Sequence, residues 1–271
     1  MSNQIPKDLF NKSSFSKFIH AETELDTNCN LTSADYNHLR TTALPFWKRA
    51  MDIGLIVAGL PFILATAVPL AIFIKVVSRG PLFFKQERIG LGNRRFKLLK
   101  FRSMHCGADT SVHDQHLATL MKGEKPMQKM DGSDSRLIPL GKWIRASGLD
   151  ELPQLLNVLV GDMSLVGPRP CTVFEFEQYE PWQKERFKAV PGLTGLWQVS
   201  GKNRTTFKQM IQMDIAYSRY KSLSMDLAIV VRTLPALIEQ LIAARSSSKA
   251  AAAAAAKSAQ VPKAPVAVNA V

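Results

Sequence analysis

Cysteine is scarce in this chain of 271 residues: Cys29, Cys106 and Cys171 are the whole set, an odd number with no Cys-x-x-Cys pair. That arithmetic excludes a disulfide framework and a cysteine zinc site, and it points to a reducing, cytoplasmic catalytic region. Histidine is nearly as sparse, and the close pair His113 and His116 lacks the spacing of a metal site. Acidic residues number 22 against 35 lysines and arginines, so the formal net charge is +13. Such a balance calls for an anionic partner, which could be nucleic acid, an acidic membrane surface or phosphorylated substrates. Aromatic residues do not cluster among the basic ones, so the stacking platform of a nucleic-acid binder is missing and no nucleic acid is expected. There is no internal repeat.

Charge is also absent from Ile53 to Ile74, a run long enough for a membrane-embedded helix. About fifty mostly polar residues precede it and no small-residue cleavage site follows, which argues against a signal peptide. Lys48 and Arg49 stand before the run, and Lys75 and Arg79 after it. Positive residues mark the cytoplasmic side, and here both ends carry them. Pro61 and Pro69 each remove a backbone donor inside the run. A re-entrant helix that enters the cytoplasmic leaflet, turns near its middle and returns satisfies both observations; a kinked spanning helix is the competing reading.

The chain divides into a flexible polar extension over 1–45, a re-entrant membrane helix over 46–80, a catalytic domain over 81–245 and an exposed Ala-rich tail over 246–271. After Gly80-Pro81, the pattern predicts strands over Leu82–Gln86 and Arg94–Arg102, joined as a hairpin by the Gly90–Asn93 turn. A helix is expected to begin at Asp150 with Pro153 in its first turn, where a missing N–H costs little. Further helices are predicted over Glu175–Lys188, Phe207–Tyr220 and Asp226–Ala244, the last broken by Pro235, with a turn at Pro191–Gly195. The fold class is mixed, α+β.

Special chemistry concentrates between Leu149 and Pro170. Asp150 and Glu151 are neighbours whose side chains diverge on a helix, so they suit a division of labour: one attacks or accepts a proton, the other holds a divalent metal. Taken alone, such a pair is more often a solvated helix start. Arg169 changes the weighting. Pro168 and Pro170 prepare its backbone, and its planar fork suits phosphate. Arg145, Lys100 and Arg102 offer further phosphate contacts, and Asp214 and Gln198 complete the candidate substrate-binding set.

At these residues the sequence resembles the bacterial sugar transferases, or monotopic phosphoglycosyl transferases, in their compact form. The motifs are Lys48-Arg49-Ala50-Met51-Asp52, Gly80-Pro81, Gln86-Glu87-Arg88-Ile89-Gly90, Lys100-Phe101-Arg102-Ser103-Met104, the Leu149 to Pro170 block and Pro191-Gly192-Leu193-Thr194-Gly195. The resemblance implies an enzyme of the inner membrane whose catalytic domain faces the cytoplasm. It implies Mg²⁺-dependent transfer of a sugar phosphate from a UDP-sugar to undecaprenyl phosphate, with release of UMP. By the same resemblance Asp150 is the nucleophile, Glu151 binds Mg²⁺ with Asp150 beside it, the product feeds exopolysaccharide or glycoconjugate synthesis, and a homodimer is allowed. The runner-up is an inactive membrane-anchored scaffold, against which intact Asp150, Glu151 and Arg169 argue. Compact relatives carry one proline near the middle of the hairpin, whereas Pro61 and Pro69 straddle it here.

Overall fold

The computed structural model describes residues 44–105, 111–123, 126–127 and 136–259. The polar extension lies almost wholly outside them. Within them the chain mixes helices with two small sheets, as the α+β reading expects.

Helix α1, Phe46–Val77, holds both Pro61 and Pro69 within its 32 residues. It is long and apolar enough to cross a membrane by length and composition. Its middle is bare, with Val57, Phe62 and Ile72 exposed, whereas both of its ends dock on the domain that follows. Ile56 packs with Phe96, Leu98, Val158 and Met163, and Ile74 packs with Phe101, Ile138 and Ile144. Lys48, counted above among the flanking surface charges, is corrected by the structure. It is 2% exposed, and its Nζ donates to Asp226 Oδ2 at 2.6 Å, to the Tyr217 hydroxyl at 2.9 Å and to the Val166 carbonyl at 2.8 Å. An ammonium this deep needs such partners, so the outward charge at that end falls to Arg49.

Strands β1, Phe83–Ile89, and β2, Arg95–Phe101, form the expected antiparallel hairpin, with Phe83 opposite Phe101 and Ile89 opposite Arg95. β1 runs further than Gln86 because β4, Cys171–Thr172, pairs with its far end at Arg88 and Ile89. The order β2-β1-β4 leaves β2 as an edge. Helix α2 follows, Ser111–Lys122.

Helix α3, Gly141–Ala146, leads to a single 3₁₀ turn over Leu149–Glu151 and then to α4, Gln154–Val160. The helix expected from Asp150 is therefore split. The acid pair occupies the 3₁₀ turn and Pro153 caps α4, a position that asks nothing of its missing N–H. Asn157 of α4 then closes the open edge of β2: its Oδ1 accepts from the Leu99 N–H at 3.0 Å and its Nδ2 donates to the Lys97 carbonyl at 2.9 Å. That double bond copies a strand partner and fixes the acid-bearing segment against the basic strand.

Strands β3, Ser164–Val166, and β5, Gly192–Thr194, pair in parallel. The expected turn at Pro191–Gly195 is thus largely a strand. Backbone contact is the reason: a Cβ on Gly167 would lie 2.2 Å from the Val190 oxygen, and one on Gly192 would lie 2.0 Å from the Gly167 nitrogen, distances that admit no side chain. The single helix expected over Glu175–Lys188 also divides, into α5, Val173–Glu177, and a 3₁₀ helix, Pro181–Lys188. Pro181 supplies no N–H to continue α5, and it starts the next turn well.

Helices α6, Leu196–Val199, and α7, Phe207–Tyr220, follow, α7 opened by a Thr206–Gln209 capping box. Helix α8 spans Leu223–Ala259, with Pro235 inside it and not at a break, and so continues through the whole alanine run, as the best helix former allows. The main core gathers Phe207, Met210 and Ile211 of α7 with Val166, Phe187, Leu196, Trp197 and Ile229.

Candidate active site

Lys100 sits near the end of β2, and Glu151 follows the αL glycine Gly148 in the 3₁₀ turn. Lys100 Nζ donates to Glu151 Oε1 at 3.0 Å, with the two side chains 25% and 33% exposed. The contact is accessible, and Asn157 sets its register from six residues away. Asp150 beside it is 5% exposed. Helix α3 places Arg145, half-buried, ahead of the acid pair.

Arg169 is presented by a loop held by more than its prolines. Pro168 accepts from the Gly192 N–H at 2.8 Å, and the Gly167 N–H donates to Thr194 at 2.9 Å. Arg186 donates to the Arg169 carbonyl at 2.5 Å and Arg88 to the Pro170 carbonyl at 3.0 Å. The Arg169 side chain gives Nη1 to Glu175 Oε1 at 2.6 Å and stays 21% exposed. Glu175 is fully buried. Burial pushes its carboxyl up, but Arg169 and Arg88, with the Thr172 N–H, outweigh that and hold it at about 2.

Arg88 lies within electrostatic reach of both parts of the candidate site: burial and Arg169 lower its pKa, and Glu175 and, more weakly, Glu151 oppose them. Of the other expected residues, Asp214 reaches Arg169 through Arg186, and Gln198 lies near the Gly195–Gly167 contact. Asp214 has no exposure, and it receives a hydrogen bond from Arg186, the residue that clamps the Arg169 carbonyl. Gln198 has a buried Oε1 without a protein partner, and a Cβ on Gly195 would meet it at 2.8 Å, next to Gly167. Arg102 is 5% exposed and donates to the Ser78 carbonyl at 2.5 Å, at the C-terminal end of α1.

Glu175, Asn157 and Arg186 were not among the residues singled out from the sequence, and Arg88 stood there only within the Gln86–Gly90 motif. Signals existed for two of them. Arg88 alternates with Gln86 on one face of β1, and Thr172-x-x-Glu175 is a capping box that forms in the structure. Nothing local marks Asn157 or Arg186.

Among the described residues no group of three or more His, Cys, Asp and Glu side chains converges as a metal cage would. Adjacent carboxylates suit a Mg²⁺ ion only where substrate phosphate and water oxygens would complete its shell. Glu151, one-third exposed and already facing a cation, fits that role.

The family model for bacterial sugar transferase matches residues 43–240. This chain belongs to that family. It is 41% identical over 211 residues to a UDP-glucose:undecaprenyl-phosphate glucose-1-phosphate transferase of Caulobacter vibrioides, covering 74% of this chain and 73% of the relative. It is 40% identical over 205 residues to the galactosyl transferase CpsE of Streptococcus agalactiae, covering 70% of this chain and 42% of that one. An undecaprenyl-phosphate galactose phosphotransferase of Salmonella typhimurium is 35% identical over 214 residues, 75% of this chain and 43% of the relative. The chain thus spans less than half the length of two of these sugar transferases and nearly three quarters of the third.

Proposed function

We propose that this bacterial sugar transferase moves a sugar 1-phosphate from a UDP-sugar to undecaprenyl phosphate at the cytoplasmic face of the inner membrane, an opening step of exopolysaccharide or glycoconjugate assembly. The observation that supports the reading is the accessible Lys100–Glu151 contact beside Asp150, with Arg88, which bonds the Arg169 loop at Pro170, in electrostatic reach of Glu151.

Asp150 is the nucleophile. One of its oxygens attacks the sugar-bearing phosphorus, the bond to the bridging oxygen breaks, and UMP leaves with that electron pair. A phosphate oxygen of undecaprenyl phosphate then attacks the same phosphorus, freeing the Asp150 carboxylate and yielding the lipid-linked diphosphosugar. Glu151 is the residue that would hold Mg²⁺, with Asp150 beside it; when bound, the ion neutralises diphosphate charge and polarises the phosphoryl group. Arg169 binds and orients the diphosphate, and Lys100 supplies a second cation at the acid pair. Arg145 extends that basic lining. Asp214 supports the Arg169 loop through Arg186, and Gln198 lies near the Gly195–Gly167 contact.

The re-entrant course of α1 belongs to the same proposal. Ile56 shares a hydrophobic cluster with Phe96 and Leu98, and Ile74 shares one with Phe101, Ile138 and Ile144. The partners on β2 lie within about 17 Å along the strand, whereas a straight helix would separate Ile56 from Ile74 by about 27 Å. A bend in the stretch of Pro61 and Pro69 reconciles the two, and it leaves the apolar middle to the membrane and both ends on one domain.

The decisive experiment incubates the protein with Mg²⁺, undecaprenyl phosphate and each of a series of UDP-sugars, following UMP. Release with one donor, dependent on Asp150, supports the reading; silence with all of them removes it.

A further inference from the structure

Glu175 carries more hydrogen bonds than a capping residue requires. It has no solvent exposure, and both of its oxygens are committed: Oε1 accepts from Arg169 Nη1 at 2.6 Å and Oε2 from the Thr172 N–H at 2.6 Å. Its own N–H returns a bond to Thr172 Oγ1 at 3.0 Å, so backbone and side chain are fixed together. Arg88 Nη1 lies 3.8 Å from the same Oε2 while bonding the Pro170 carbonyl. A carboxylate locked at this many points cannot follow a mobile guanidinium, so the guanidinium must come to it.

The consequence for Arg169 is geometric. One Nη is tied inward to Glu175, and the side chain remains 21% exposed, so the rest of the fork faces out of the protein. The local charge does not cancel either. Arg88, Arg169 and Arg186 face Glu175 and Asp214, three cations against two anions, which leaves the cluster attractive to a polyanion.

We propose that Glu175 is a positioning residue, a buried carboxylate that grips one edge of the Arg169 guanidinium and thereby aims its other edge at the donor diphosphate. The inference rests on the sugar-phosphate transfer proposed above. Glu175 touches no substrate; it acts through Arg169. It also explains why an arginine is needed in this loop, since a lysine ammonium offers no second edge to present once the first is bound.

A double-mutant cycle tests this on the full chain in nanodiscs, with UMP release as the readout. Glu175→Gln is expected to raise the donor KM about tenfold, with a smaller loss in kcat, as befits a misaimed charge-assisted hydrogen bond. In an Arg169→Lys background the same substitution is expected to change kcat/KM by less than about threefold, because the effect of Glu175 passes through the fork already removed. Equal losses in both backgrounds would overturn the inference and make Glu175 a general stabiliser.

If the unaltered protein releases no UMP from any donor, the transfer reading fails, and the inference is read from chemistry alone. Phenylglyoxal modification of Arg169, followed by peptide mass spectrometry, is expected to be severalfold faster in Glu175→Gln while Arg186 stays protected. An unchanged Arg169 rate overturns it. Should Arg186 also become reactive, the loop has unfolded, and Glu175→Asp carries the same comparison, since it keeps the buried charge and withdraws the carboxylate by one methylene.

Discussion

Lys48 Nζ lies 2.6 Å from Asp226 Oδ2, an ion pair 2% and 0% exposed that ties the first turn of α1 to the start of α8. The same ammonium donates to the Val166 carbonyl in β3, a short step before the loop of Arg169. Helix α1 and the loop of Arg169 thus share one frame.

Removing one member of this pair strands the other. Lys48→Met leaves Asp226 buried against Tyr217 alone, and the expected loss is about 3–5 kcal/mol of unfolding free energy. Replacing both, as Lys48→Met with Asp226→Leu, should recover much of that loss because no charge is then left unpaired. Urea unfolding in detergent, followed by tryptophan fluorescence, measures both; a single variant as stable as the parent would contradict the burial.

Lys48 also marks where the sequence misled. By position it reads as a flanking charge of an apolar run, and only a partner 178 residues away turns it inward. The hairpin and α7 were legible because their signals are local, alternation in the strands and helical spacing of apolar residues in α7. The parallel pairing of β3 with β5 was not, since short strands in sequence look like turns and their partner is distant. Arg169 was legible through its two prolines. Its true holders, Arg88, Glu175 and Arg186, come from three different segments, and no spacing rule connects them.

The two acids are expected to separate by chemistry. Asp150→Asn should abolish the covalent sugar-phosphate adduct that forms with donor and no lipid acceptor, because an amide does not attack phosphorus. Glu151→Gln should still form it, slowly and at higher Mg²⁺, having lost one charged ligand. Intact-protein mass spectrometry reads both, and an adduct on Asp150→Asn would move the nucleophile elsewhere.

Glu175 sets an acid limit on stability. Its carboxyl is held at about 2 against an ordinary 4.5. A folded-state value below the unfolded one gives stability that is complete above pH 4.5 and is lost as pH falls toward 2. The amount at stake is about 3 kcal/mol. Glu175→Gln should lower the unfolding midpoint at neutral pH and flatten its decline through that window. Parallel declines for the two proteins would assign the acid sensitivity to other carboxylates.

The course of α1 gives the last test. A spanning helix must place its ends on opposite sides of the bilayer. Here Ile56, ten residues into the helix, and Ile74, near its end, both dock on the domain built around β2. A single folded domain cannot sit on both faces of a membrane. Charge agrees, because Arg49 before the run and Lys75 after it both favour the cytoplasmic side. Single cysteines at Phe46 and at Lys85, two exposed positions beyond the apolar stretch, should therefore react with an impermeant maleimide from the same side. The background is the protein with Cys29, Cys106 and Cys171 replaced by serine. In inverted inner-membrane vesicles both sites should label without detergent. If Phe46→Cys labels only after the vesicles are opened while Lys85→Cys labels before, α1 crosses the bilayer, and the docking of both its ends on one domain would have to be abandoned with the re-entrant course.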